Sequence, residues 1–289
     1  GDMVVGGTAW CFADESLDEQ FDYLFVDEAG QVGLANLLAM ATSAKNIVLV
    51  GDPQQLPQVI LGSHPGDAGE SSLEHLLEKA ATVATGKGVF LPVSRRMHTD
   101  VCTVISDLAY DGRLTSDAGA NSQRLTVDGV TVSGASMVKL PHSGNAQSCP
   151  QEVKAIKTRA HALIGAEYTD RDGKKKEITW ADILIVAPYN AQVNALREAI
   201  PKARVGTVDK FQGQEAPICL ISMTTSSAEE MPRDMGFLFS INRLNVAISR
   251  AKILAEVYAS PALLEVPCRT LEDMKMVSAF CALQSQSNE

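Results

Sequence analysis

Residues 21–57 read Phe21-Asp22-Tyr23-Leu24-Phe25-Val26, then Asp27-Glu28-Ala29-Gly30, then a helix-patterned segment, then Asn46-Ile47-Val48-Leu49-Val50 and Gly51-Asp52-Pro53-Gln54-Gln55-Leu56-Pro57. Two short apolar runs separated by about 20 residues of helical pattern predict a β-α-β unit. Such a crossover makes the two strands parallel, so both end at the same edge of the sheet. Ligands of open α/β sheets bind at that edge. The expectation is that Asp27, Glu28, Asp52 and Gln55 converge on one crevice.

Adjacent carboxylates at a strand exit suit phosphoryl transfer. Mg²⁺ prefers oxygen ligands and keeps most of its waters, so Asp27 can hold it through one carboxylate. Glu28 can then orient or deprotonate the attacking water, and the neutral amide of Gln55 can hydrogen-bond the γ-phosphate. Exposed acids at strand ends are common, so Asp27-Glu28 alone decides little; the Gly-Asp-x-x-Gln-Leu-x-Pro at the next strand end adds the weight. Together, Asp27-Glu28-Ala29-Gly30 resembles motif II (Walker B), and 51–57 resembles motif III, of superfamily 1B helicases. The likeness is to the group that includes the nonsense-decay helicase and the nuclease-helicases of replication and repair.

Composition sets outer limits. The 289 residues leave room for two domains with cores of their own, and 45% hydrophobic residues describe an ordinary globular chain. No apolar run reaches membrane-spanning length and no basic-then-apolar leader is present, which predicts a cytoplasmic protein with no membrane partner. Cys11, Cys102, Cys149, Cys219, Cys268 and Cys281 are scattered without a C-x-x-C pair, which argues against a zinc site or a disulfide framework. The net charge is −10, and all of the excess lies early: residues 1–92 hold thirteen acidic and three basic side chains, whereas the remainder holds 22 of each. That balance argues against non-specific electrostatic binding as the main activity, but not against a local grip on a strand through amides, hydroxyls and a few cations.

Taken in order, Met3-Val4-Val5 is strand-like and leads to Gly6-Gly7-Thr8. The resemblance implies that Thr8 touches a nucleic-acid backbone; a plain strand end is the other reading. No Gly-x-x-x-x-Gly-Lys-[Ser/Thr] is present: Gly86-Lys87 is followed by Gly88, with Ala81 where the first glycine should stand. In the family that Walker A loop lies upstream of motif II. The chain therefore resembles the C-terminal portion of a longer helicase, with the upstream region and its Walker A missing and the first domain truncated. In bacterial-looking members a RecB-like nuclease precedes it. Residues 62–70 read as loop, Ser71 or Ser72 as the cap of a helix running to about Lys79, and 89–91 as a strand. The domain boundary is placed near Pro92, giving domains 1–92 and 93–289.

The second part opens on Ser94-Arg95-Arg96-Met97-His98, similar to the family's Gln-Tyr-Arg-Met-His-Pro segment; Arg96 stands where the family's arginine reaches the γ-phosphate. A planar guanidinium spans two phosphate oxygens and is always charged. A helix over 100–109, a turn at 110–114, a loop-rich stretch over 115–150 with short strands near Val130 and at 137–140, a helix over 151–164 and a charged turn over 170–176 follow. The unbroken run 183–187 predicts a buried parallel strand. It leads to Pro188-Tyr189-Asn190-Ala191-Gln192, which resembles a Pro-Tyr-x-x-Gln motif; Tyr189 either stacks on a base or packs on the next helix. Residues 205–215, Val-Gly-Thr-Val-Asp-Lys-Phe-Gln-Gly-Gln-Glu, match motif V almost residue for residue, which implies that Thr207 faces nucleic acid while Gly213 and Glu215 approach the nucleotide. Asn242-Arg243-Leu244-Asn245-Val246-Ala247-Ile248-Ser249-Arg250-Ala251-Lys252 resembles motif VI. Arg243 and Arg250, two helical turns apart, share one face, with Arg250 expected as a second arginine finger. A strand over 253–258 and a helix over 271–283 close the chain.

The expected fold is α/β: two RecA-like parallel-sheet domains, the first truncated. The expected function is ATP-dependent 5′→3′ translocation on single-stranded DNA or RNA with duplex unwinding. The catalytic set is Asp27, Glu28, Gln55, Arg96 and Arg250; Asp52, Gly213, Glu215 and Arg243 bind ATP; Asp27 binds Mg²⁺; and Thr8, Pro188, Tyr189 and Thr207 bind the strand. The alternative is a non-enzymatic RecA-fold scaffold that binds a partner or nucleic acid.

Overall fold

The computed structural model describes residues 3–58, 62, 64–78 and 80–285, which form two compact units, 1–90 and 91–289. The first is built on β1 (Phe21–Val26), α1 (Leu34–Ala41), β2 (Ala44–Leu49) and α2 (Ser72–Leu77). β1 and β2 run parallel, with Phe21 opposite Ala44 and Val26 opposite Leu49, so the β-α-β expectation holds. β1 alternates. Leu24 and Val26 are buried with Leu37 and Met40 of α1 and Leu73 and Leu77 of α2, whereas Tyr23 and Phe25 remain 60% and 68% exposed. A truncated sheet was expected, and among the described residues this one has two strands. Ser71 caps α2, its hydroxyl accepting from the Glu74 amide at 3.1 Å; the expected helix end at Lys79 lies outside the described residues.

Two local expectations are corrected. Residues 3–8 form no strand; they are exposed and lead into a one-turn helix, Ala9–Phe12, because no neighbouring strand pairs with them among the described residues. Residues 89–91 are also irregular, and the strand begins at Val93–Ser94, where the chain meets Thr115–Ser116 in a short parallel pair.

The second unit is organised by a five-stranded parallel sheet: β3 (Gly134–Lys139), β4 (Ile183–Val186), β5 (Arg204–Gly206), β6 (Ala216–Ser222) and β7 (Ala251–Ala259), in spatial order β5-β4-β6-β7-β3. Every residue of β4 and β6 is buried, as unbroken apolar runs predict for strands covered on both faces. Each large side chain such as Ile185 or Leu220 withdrawn from water contributes about 1.5–3 kcal/mol. Helices α3 (Thr99–Ala109), α4 (Pro150–Leu163), α5 (Asn190–Ala199), α6 (Ile241–Ser249) and α7 (Leu271–Ser285) complete the unit. The short strand expected near Val130 is Val130–Thr131, and it belongs to a small antiparallel sheet. That sheet pairs Arg124–Val127 with Val130–Thr131 and Glu167–Thr169, and the last with Lys175–Glu177, so Lys175 and Lys176 lie on a strand rather than in a turn. No helix among the described residues is long and apolar enough to cross a membrane.

Candidate nucleotide and nucleic-acid sites

In the first unit the two strand exits meet, as the crossover requires. The Ala29 amide donates to the Val50 carbonyl at 2.9 Å, and the loops 27–30 and 51–55 then run side by side. Two glycines permit the approach. A Cβ on Gly51 would stand 2.8 Å from the Ala29 nitrogen, and one on Gly30 would stand 3.0 Å from the Asp52 carbonyl oxygen. Asp52 shapes its own loop: Oδ1 accepts from the Gln54 amide at 2.9 Å and Oδ2 from Gln55 Nε2 at 3.1 Å. Gln55 is thereby held beside Asp52, and Asp27 and Glu28 are exposed next to it.

Glu28 adopts the left-handed conformation, φ 51° and ψ 41°. For a residue with a Cβ that costs of order 1–3 kcal/mol, and such strain concentrates at functional sites. Asp27 Oδ1 accepts the Glu28 amide at 3.0 Å. Mg²⁺ takes one or two carboxylates and otherwise water and phosphate oxygens, and an exposed aspartate at a strand exit fits that demand; Asp27 would hold it. Thr8 is exposed at the start of the Ala9–Phe12 turn and makes no side-chain cap.

In the second unit the expected residues divide between opposite edges of the sheet. At the edge where β6 and β7 begin, Glu215 precedes Ala216, and its carboxylate pairs with Arg96 Nε at 2.5 Å and Lys252 Nζ at 2.7 Å. Arg96 also donates through Nη1 to the Ser249 carbonyl at 3.2 Å. Burial alone would raise the Glu215 carboxyl; the Lys252 hydrogen bond and the Arg96 and Lys252 charges outweigh it and hold the pKa below the usual carboxylate value. Gly213 has φ 71°, a backbone that favours glycine, and open space where a Cβ would point. Arg250 is the expected second arginine finger. It is 2% exposed, with Nε donating to the Val246 carbonyl at 3.0 Å and Nη1 to the Gln214 carbonyl at 3.2 Å. In this conformation it ties the end of α6 to the start of β6, because α6 delivers it to the sheet rather than to solvent.

The strands β4 and β6 end at the other edge. There Pro188 and Arg243 line a common pocket with Val208, Met223 and Phe237, and Thr207 follows β5. Tyr189 is 6% exposed, its ring 5.5 Å from that of Phe237, so here it packs and presents no open face to a base. Arg243, expected to bind ATP, lies at this edge, across the sheet from Glu215. Seven residues of helix advance about 10 Å along the axis, which carries Arg243 and Arg250 to opposite sides of the sheet although they share a helical face.

Several residues gain roles that sequence reasoning missed. The Ser94 hydroxyl accepts the Arg96 and Met97 amides at 3.4 and 3.3 Å, which shapes the turn before α3. His98 caps α3, its Nδ1 accepting the Asp100 amide at 3.2 Å, which requires a neutral ring. Burial lowers its pKa, opposed by the Asp100 charge and assisted by Arg124, so the acceptor form is kept at neutral pH. His98→Ala is therefore expected to cost about 1 kcal/mol and His98→Asn much less; urea midpoints showing equal losses for both would remove the capping role. Gln192 is fully buried: Oε1 accepts the Cys149 amide at 2.8 Å and Nε2 donates to Ser222 Oγ at 2.9 Å, clamping the starts of α4 and α5 to the end of β6. Its place in the Pro-Tyr-x-x-Gln motif was the available signal.

His142, Cys149 and Glu152 bring three donor atoms within 4.8 Å of one another. Their hydrogen bonds are already made: Glu152 accepts from His142 Nε2 at 3.0 Å, from Ser222 and from the Thr224 amide at 2.9 Å. Burial pushes the Cys149 thiol up to about 11, so the cluster is a buried hydrogen-bond hub.

Comparison with known proteins gives the family. A model of an AAA domain matches residues 68–259, and a second AAA-domain model matches residues 2–63. The chain is 30% identical over 279 residues to the DNA replication ATP-dependent helicase/nuclease DNA2 of Gallus gallus, covering 94% of this chain and 26% of that protein. It is 29% identical over 258 residues to the DNA-binding protein SMUBP-2 of Mus musculus, covering 81% and 24%. With the probable helicase senataxin of Homo sapiens it shares 26% identity over 257 residues, covering 80% and 9%. The chain thus spans about a quarter or less of the length of these relatives. With motifs II, III, V and VI in order and an AAA-domain match over most of its length, the chain belongs to the superfamily 1B helicases.

Proposed function

We propose that the enzyme carrying this chain hydrolyses ATP to move 5′→3′ along single-stranded nucleic acid and separate duplexes. The observation that carries this reading is the meeting of the 27–30 and 51–55 loops, which sets an acid pair beside a held amide where a γ-phosphate would react. Asp27 holds Mg²⁺, which supplies charge neutralisation on the phosphates when bound. Glu28 orients and deprotonates the attacking water. Gln55 hydrogen-bonds the γ-phosphate and changes partner when it leaves, relaying the event into the Asp52 loop.

In the second unit, Arg96 stabilises the charge that develops on the transferred phosphoryl group, while Glu215 and Lys252 keep its guanidinium in place. Glu215 would accept from the ribose, and Gly213 lets the backbone come close to the nucleotide. Thr207 and Pro188 sit at the other edge of the sheet, where the strand would run. A strand-displacement assay on duplexes with a 5′ or a 3′ single-stranded tail tests the polarity. ATP-dependent opening of the 5′-tailed duplex is expected; preference for the 3′-tailed one would reverse the assignment.

A further inference from the structure

At the edge of the second sheet where β4 and β6 end, two arginines share one aromatic ring. The Arg233 guanidinium carbon lies 4.4 Å from the Phe237 ring centroid and that of Arg243 lies 4.6 Å from it. Phe237 is itself fixed. Its amide donates to Asp234 Oδ1 at 2.9 Å, which starts the one-turn helix Met235–Leu238, and its ring lies 5.5 Å from the buried ring of Tyr189. Both guanidiniums therefore stand against one fixed ring, at the same edge of the sheet. Guanidinium stacks well on an aromatic face and is weakly hydrated.

A guanidinium stacked on a ring keeps its N–H edges for an anion. Arg243 has one carboxylate nearby, Asp209 at 3.4 Å, in a pair whose side chains are 30% and 51% exposed. An exposed pair of that kind contributes little and exchanges readily for a phosphate. Arg233 is exposed and has no carboxylate within ion-pair distance among the described residues. The cluster adjoins Pro188 and Val208 in one pocket wall and lies across the sheet from Glu215 and Lys252, so it is apart from the proposed nucleotide side.

We propose that Arg233 and Arg243, mounted on Phe237, form a clamp for the phosphate backbone of single-stranded nucleic acid. The clamp rests on the helicase reading and adds to it a contact supplied by the segment between motifs V and VI. It reads no base. Its contribution is to position the strand at the mouth of the pocket beside Pro188.

The test is the salt dependence of binding to a fluorescein-labelled oligothymidylate, measured by anisotropy between about 50 and 200 mM salt on the enzyme carrying this chain. Each phosphate contact removed lowers the slope of log affinity against log salt by ~0.7 for single strands. Arg233→Gln, at an exposed position where folding is not at stake, should lower the slope by about 0.7, and Arg233→Gln with Arg243→Gln by about 1.4. Arg243→Lys, which keeps the charge, should leave the slope near the parent's while weakening binding. A double variant with the parent's slope and affinity would overturn the clamp and leave the helicase reading standing. A parent enzyme that does not bind the oligothymidylate at all would overturn both.

Discussion

Glu28→Gln in the enzyme carrying this chain should still bind ATP and single strands yet hydrolyse ATP about 10²–10⁴-fold more slowly, the range for loss of a positioned general base. The substitution keeps the shape of the side chain and its hydrogen-bonding capacity. It also leaves the local backbone cost unchanged, because Glu28 sits in the left-handed region at φ 51° whichever of the two residues is present. Ala would confound the experiment by removing the base together with the shape and hydrogen-bonding capacity of the side chain. Steady-state hydrolysis measured alongside nucleotide binding separates the outcomes. Unchanged turnover would take Glu28 out of the reaction, and lost ATP binding would point to damage in the loop shared with Gly51 and Asp52.

Arg96→Ala should lower the ATP turnover rate ~10³-fold or more while leaving ATP affinity largely intact, since the guanidinium acts on charge that appears in the transition state. Arg96 is held by Glu215 at 2.5 Å and by the Ser249 carbonyl at 3.2 Å. Glu215→Gln should weaken that hold and reduce turnover less than Arg96→Ala does. The Glu215 carboxyl is held below its usual pKa in the folded protein, so the ion pair contributes at pH above the ordinary carboxylate value, and its contribution fades as pH falls through the lowered one. Arg96 should accordingly stay in place throughout the neutral range. An Arg96→Ala enzyme with near-parental turnover would exclude it as the finger. Arg250→Ala is expected to act differently. Its guanidinium is buried against the Val246 and Gln214 carbonyls, and its loss would strand those acceptors and show as lowered stability.

How much of this was legible beforehand depended on the kind of regularity involved. The parallel pairing of β1 with β2 and the burial of β4 followed from apolar runs of strand length, where burial on one or both faces leaves a direct mark on composition. The convergence of the 27–30 and 51–55 loops followed from topology, and Gly30 and Gly51 are the residues that let the backbones touch. Met3-Val4-Val5 and Val89-Phe90-Leu91 have strand composition but no partner strand among the described residues, and β propensity without a neighbour has little to act on. Of the small antiparallel sheet only the strand near Val130 was legible, because its strands are two to four residues long, too short for alternation to register.

For the motif VI arginines the missing information was of a different kind. A helical face gives an angle around the axis and says nothing of distance along it, so Arg243 and Arg250 were grouped although they reach opposite edges of the sheet. Arg233 and Phe237 carried no pattern of their own; only the fold brings them to Arg243. Gln192 was quoted within its motif, but its tie to Cys149 and Ser222 spans 43 and 30 residues of sequence, beyond any local rule.

The central claim is that the acid pair, the held glutamine and Arg96 serve ATP hydrolysis driven by a bound strand. Its most direct test is the rate of ATP hydrolysis by the enzyme carrying this chain, measured with Mg²⁺ and with or without a single-stranded oligonucleotide. Hydrolysis that the strand stimulates, and that Glu28→Gln abolishes in both conditions, is the expected result. A rate that is indifferent to the strand, or that survives Glu28→Gln, would contradict it.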